Sequence, residues 1–159
     1  MQPLVFFFVV AAINVGVCQK CALNWQLFQG QCYRYGDTAV SWFDAQVICQ
    51  SQGGRLAEIP SFAANDFLTT IARHKRDLCV WFGGSDIIQE GVWEWSSGLN
   101  SFYSFRNWHS GEPNSDKNTE EDCLNMLQPL NYNWNDAPCN FNCNFICTKP
   151  AREAPSHAA

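Results

Sequence analysis

An α+β chain, with two amphipathic helices flanking small antiparallel sheets, disulfide staples and long polar loops, is what three features of the sequence predict. Two stretches of helical spacing precede most of the strand-like runs. Seven Trp, twelve Phe and nine Cys in 159 residues promise an aromatic, cross-linked core, and the length suits one domain. The later strand-like runs are separated by long polar loops, which are uncommon unless something such as a metal orders them.

The elements follow in order. From Cys21 to Tyr35, alternation around Trp25, Phe28, Cys32, Tyr33 and Tyr35 is broken by Gln29-Gly30, the pattern of a short hairpin. Ser41 is placed as the N-cap of a helix reaching about Gln52; Trp42, Ala45 and Cys49 share its inner face and Gly53-Gly54 end it. Arg55 to Ile59 reads as a connector. Pro60-Ser61 starts a second helix with Ala64, Phe67, Leu68 and Ile71 at spacings of three and four. Its end is the basic run Arg73-His74-Lys75-Arg76, where cations suit the negative end of the helix dipole. Val80 to Gly83, Val92 to Trp95, Cys123 to Leu127 and Asn144 to Thr148 are expected strands. The tail from Pro150 to Ala159 is polar and proline-bearing, and is expected to be disordered.

Met1 to Cys18 lacks charged side chains and carries an apolar run from Leu4 to Ile13, too short to span a bilayer and suited to the core of a signal peptide. Secretion is therefore expected. Cleavage after Cys18 would remove one of nine cysteines and leave eight, an even number suited to an oxidising compartment. Cleavage after Gly16 would instead retain Cys18 and favour a covalent homodimer. No other stretch is apolar enough to cross a membrane. A net charge of -5, with only the one short basic cluster, excludes nucleic acid as the expected partner. His74, His109 and His157 are scattered, and no metalloprotease His pair, nucleophile elbow or phosphate-binding glycine loop is present, so no enzyme is expected.

Side-chain oxygens concentrate between Gly111 and Asp136. Gly111-Glu112-Pro113-Asn114, Glu121-Asp122-Cys123 and Trp134-Asn135-Asp136 supply carboxylates and amides without a soft ligand. Calcium takes about six to eight such oxygens, and zinc fits this set poorly. A proline between Glu112 and Asn114 lets the X-Pro bond be cis, which would turn both side chains toward one point. His109 lies close by, placed to touch a ligand or to face solvent.

Taken together these segments resemble the calcium and sugar site of the C-type lectin domain, in its long form and its mannose-type Glu-Pro-Asn variant. The resemblance runs from Cys21 to Lys149. Trp42 to Cys49 resembles the family's first helix, Trp81-Phe82-Gly83-Gly84 its central strand and Trp93-Glu94-Trp95 the strand after it. Secreted single-domain members of the perlucin-like kind are the most similar in organisation.

The resemblance implies that Glu112, Asn114, Glu121, Asn135 and Asp136 hold one calcium and that two vicinal sugar hydroxyls complete its shell. Hydroxyl protons would go to Glu112 or Glu121, and hydroxyl lone pairs would accept from Asn114 or Asn135. Asp86, Glu90, Glu121 and Asp122 match an auxiliary calcium site. Here the chain departs from the pattern, because Ser115 follows Asn114 where other members have an acid, with Asp116 one position on. Spacing alone does not choose among the pairings of eight cysteines. The resemblance implies Cys21 with Cys32, Cys49 with Cys147 and Cys123 with Cys139. Cys79 and Cys143, which depart from the common pattern, are expected to pair because both lie beside strands that would be neighbours in that fold.

The function so implied is calcium-dependent binding of mannose, fucose or N-acetylglucosamine by a secreted lectin, with microbial glycans as candidate partners. The alternative is a matrix or biomineral protein that keeps the fold while binding protein or mineral.

Overall fold

The computed structural model describes residues 19–98, 104–114 and 120–153. The expected leader, Cys18 included, and the last six residues lie outside them. Strands β1 (Gln19–Lys20), β2 (Gln26–Phe28) and β3 (Gln31–Val40) lead into helix α1 (Trp42–Ser51), then β4 (Arg55–Leu56) and helix α2 (Phe62–Lys75). The second half of the chain supplies β5 (Cys79–Ser85), β6 (Glu94–Trp95), β7 (Cys123–Leu127), β8 (Asn133–Ala137), β9 (Cys143–Pro150) and β10 (Arg152–Glu153).

Both helices begin where a serine can satisfy an otherwise unpaired backbone N–H. The Ser41 hydroxyl accepts from Asp44 N at 3.1 Å, and that of Ser61 accepts from Ala64 N at 3.2 Å. Past α1 the chain turns through Gly53 at φ +73°, and a side chain on Gly54 would lie 2.4 Å from Thr148 O. The first glycine meets a left-handed turn and the second a close approach of β9.

The strands link in the order β2-β3-β9-β5-β7-β8, with β4 on β9 and β6 on β5. All pair antiparallel except β5 with β9, a parallel contact that closes the middle of the sheet. Trp81, Trp95, Trp134 and Phe82 are fully buried in it. Where an indole N–H is buried it needs an acceptor: Trp42 Nε1 donates to Phe82 O at 2.8 Å, Trp81 Nε1 to Val40 O at 3.0 Å, and Trp134 Nε1 to Asn65 Oδ1 at 2.8 Å. Four disulfides join the described cysteines: Cys21–Cys32, Cys49–Cys147, Cys79–Cys143 and Cys123–Cys139. The third ties the start of β5 to the start of β9.

Three expectations need correction. The segment from Arg55 is not only a connector, since Arg55 and Leu56 pair with Thr148 and Cys147. The tail does not leave the domain at Pro150: that residue ends β9, and Arg152 and Glu153 pair with Lys20 and Gln19 in a separate two-stranded sheet. Asn133–Ala137, read only as a source of ligands, is itself a strand along the whole length of β7. No described helix is long and apolar enough to cross a membrane.

Candidate functional site

Strand β8 positions the site. Alternation puts Trp134 and Asp136 on one face and Asn135 on the other. Trp134, with no exposed surface, anchors the first face in the core. The chain from Asn107 to His109 is laid against it: Trp134 N donates to Asn107 O and His109 N donates to Trp134 O, each at 2.9 Å. The Trp108 ring packs edge-on to Trp93 at 4.7 Å and to Trp134 at 5.7 Å. Glu112 N then donates to His109 O at 3.0 Å, and the Glu112–Pro113 bond is cis. His109 is therefore a half-buried backbone anchor for the loop, and its Nδ1 is buried with no hydrogen-bond partner among the described residues.

This folding brings Glu112, Asn114 and Asp136 into one hydrogen-bonded group. Asn114 N donates to Asp136 Oδ2 at 2.9 Å and Asn114 Nδ2 donates to Glu112 Oε2 at 2.6 Å. Asn135 Nδ2 turns back onto the carbonyl of Asp136. Burial first, then the hydrogen bond and charge of Asp136 and the charge of Glu121, push the Glu112 carboxyl up to about 7, with the Asn114 amide opposing the shift. Glu121 thus stands close enough to repel Glu112, and it shares a cavity with Asn135.

A second acidic group lies at the end of β5. Carboxylate oxygens of Asp86, Glu90 and Asp122 come within 4.8 Å of one another. Asp86 is 3% exposed, accepts from Gly91 N through Oδ2 at 2.9 Å, and has an Oδ1 that is buried without a hydrogen-bond partner among the described residues. Burial, followed by the charges of Glu90 and Asp122, raises its carboxyl to about 6, against the Gly91 hydrogen bond. Ser115 and Asp116 lie outside the described residues.

Both groups have the chemistry of a hard-cation site: every ligand atom on offer is oxygen, carboxylates crowd one another, and a buried carboxylate oxygen of Asp86 has no donor among the described residues. They differ in one respect. In the first, the Asn114 side-chain amide bonds the Glu112 carboxylate, whereas Asp86 accepts from a backbone N–H, that of Gly91, and its partners in the group among the described residues are carboxylates.

Comparison with known proteins assigns the architecture. Residues 38–149 match the family model described as Lectin C-type domain. The chain belongs to the C-type lectin domain family. A perlucin-like protein of Mytilus galloprovincialis is 35% identical over 152 residues, covering 91% of this chain and 93% of its own length. The hepatic lectin of Gallus gallus is 33% identical over 133 residues, and the chain spans 61% of that relative's length. It spans only 32% of C-type lectin domain family 4 member M of Nomascus concolor. Among solved structures, the C-type carbohydrate-recognition domain of cow CD23 superposes with a TM-score of 0.76 at 33% identity, covering 85% of this chain and 99% of that one. A calcium-independent type II antifreeze protein superposes with a TM-score of 0.75 at 29% identity, over 85% of this chain and 98% of that one. The lectin domain is thus a carbohydrate-binding architecture in which use of calcium varies from member to member.

One residue of interest escaped the sequence reading. Asn125 sits in β7 opposite Asn135 and is 2% exposed. The available signal was an amide inside the otherwise apolar run Leu124 to Leu127.

Proposed function

We propose that this chain is a secreted, calcium-dependent lectin of mannose-type specificity, with Glu112, Asn114, Glu121, Asn135 and Asp136 as the binding set and no catalytic step. The observation that supports the reading best is the pairing of the Glu112 carboxylate with the Asn114 side-chain amide, held beside Asp136 by the Asn114 backbone N–H. Carboxylates accept protons from hydroxyls and amides donate to hydroxyl lone pairs, so vicinal hydroxyls find both partners in one place. A bound calcium supplies neutralisation of the crowded carboxylates and affinity for hydroxyl oxygen. Glu112 accepts and Asn114 donates, an order that suits sugars with equatorial 3- and 4-hydroxyls. Asp86, Glu90 and Asp122 would hold the auxiliary ion. A lectin with one shallow site gains from pairing through effective concentration, and Cys18, if retained after cleavage, would link two copies.

The test is retention on mannose-agarose with elution by a chelator, compared with galactose-agarose. Calcium-reversible retention on mannose alone supports the reading, and binding indifferent to chelator removes it. A matrix or mineral role is the second reading, because the calcium-independent antifreeze neighbour keeps this fold; adsorption to mineral without retention on either sugar would favour it.

A further inference from the structure

The face of β7 and β8 that turns away from Asp136 carries a half-open cavity of about 600 Å³. Leu78, Leu127, Phe141 and the Cys79–Cys143 disulfide form its apolar walls, and the amides of Asn125, Asn140 and Asn142 stand among them. Leu78 is 64% and Phe141 56% exposed, a considerable apolar surface to leave in water. At the floor, Asn125 Oδ1 is buried and accepts no hydrogen bond among the described residues, while its Nδ2 only reaches Cys143 Sγ at 4.0 Å. A buried acceptor without a donor is costly, and it marks where a ligand group would be welcome. Glu121 and Asn135 form the border of the same cavity.

We infer that this cavity is a second saccharide subsite, independent of calcium, which takes a pyranose ring with its C–H face on Phe141 and Leu78 and a hydroxyl donating to Asn125. The lining chooses the occupant. An alkyl chain would cover Phe141 and Leu78 but leave Asn125 Oδ1 without a donor, and an anion would meet Glu121. A neutral ring with apolar faces and a hydroxyl edge satisfies both surfaces, and the volume lies within the usual range for small-ligand sites. Because Glu121 and Asn135 border the cavity and also belong to the proposed calcium set, an oligosaccharide would extend from one site into the other. That extension rests on the proposed function, whereas ring binding in the cavity does not.

The experiment uses the full, disulfide-intact chain, labelled with ¹⁵N, in excess chelator. Asparagine side-chain amide signals are followed during titration with α-mannobiose, methyl α-mannoside and octyl α-mannoside. Mannobiose should shift the Asn125 amide signals, and Phe141→Ala or Leu78→Ser, both at exposed positions, should weaken the response roughly fivefold. Saturating calcium should leave methyl α-mannoside retention unchanged in either variant. Absence of a mannobiose response in chelator overturns the subsite, as does a response to octyl α-mannoside alone, which would make the cavity an alkyl site. Failure of calcium-dependent retention with the chelator response intact would refute the proposed function and leave the subsite standing.

Discussion

The disulfide-linked sheet and the carboxylate-bearing loops beside it are held by opposite means. In the sheet, Trp81, Trp95 and Trp134 are fully buried, two of their neighbouring strands are tied by Cys79–Cys143, and Cys49–Cys147 spans 98 residues of sequence. Those contributions are independent of bound ions. In the loops, burial first, and then the neighbouring Asp136 and Glu121 beside Glu112 and Glu90 and Asp122 beside Asp86, raise these two carboxyls to about 7 and about 6. Folding the framework therefore assembles the negative charge and meets its cost, and the loops keep a store of repulsion that a cation or a proton can relieve. The difference teaches that ligand affinity in this domain is prepared by stability located elsewhere.

Breaking the framework should have the largest effect. Replacing Cys49 and Cys147 together by Ser removes a cross-link closing 98 residues, with an expected loss of about 4–5 kcal/mol in the chain-entropy model. Urea unfolding followed by tryptophan fluorescence measures it. A loss comparable to that from a surface substitution would show that the sheet does not rely on its covalent links.

Next in size is Asp136→Asn, which alters the residue that both Asn114 and Glu112 contact. Calcium-dependent retention should fall at least roughly tenfold, the lower end of what even an outer partner of a metal ligand costs. The urea midpoint without calcium should stay or rise, since a repelling charge is gone. Titration calorimetry with calcium and unfolding of the same sample separate the two outcomes.

Exchanging the polarity, Glu112→Gln with Asn114→Asp, conserves size and charge and should leave calcium binding in place. Each donor or acceptor then mismatched by mannose costs about 1–3 kcal/mol, enough to erase a preference over galactose. Competition by free monosaccharides reads the ranking; an unchanged order would mean that these two side chains do not select the sugar.

The smallest effect sharpens the comparison by pH. The two most strongly shifted carboxyls are raised when folded, Glu112 from 4.5 to about 7 and Asp86 from 3.8 to about 6. The folded protein therefore binds their protons more tightly than the unfolded chain, and this stabilisation is complete below the unfolded values and lost as pH climbs through about 6 to 7. Without calcium, the chain should melt higher at pH 5 than at pH 8. Saturating calcium should close or reverse that gap, because the ion binds the deprotonated groups. Calorimetric melting at the two pH values, with and without chelator, checks both signs.

The sequence by itself determined what depends on neighbours along the chain. Ser41 and Ser61 announce their helices because a cap acts on an N–H three residues on, and the donor types of Glu112, Asn114, Glu121, Asn135 and Asp136 are legible because oxygen chemistry does not depend on fold. Tertiary structure alone decided what depends on distant partners. Asn133–Ala137 has little intrinsic liking for a strand, yet it becomes one because β7 supplies its hydrogen bonds and the core receives Trp134. The parallel meeting of β5 with β9, the return of Arg152–Glu153 to Gln19–Lys20, and the approach of Asp86 to Asp122 join residues far apart in sequence. So does the cavity in which Asn125 meets Phe141. No local pattern encodes such meetings, since burial of the aromatic core fixes them only when the whole sheet closes.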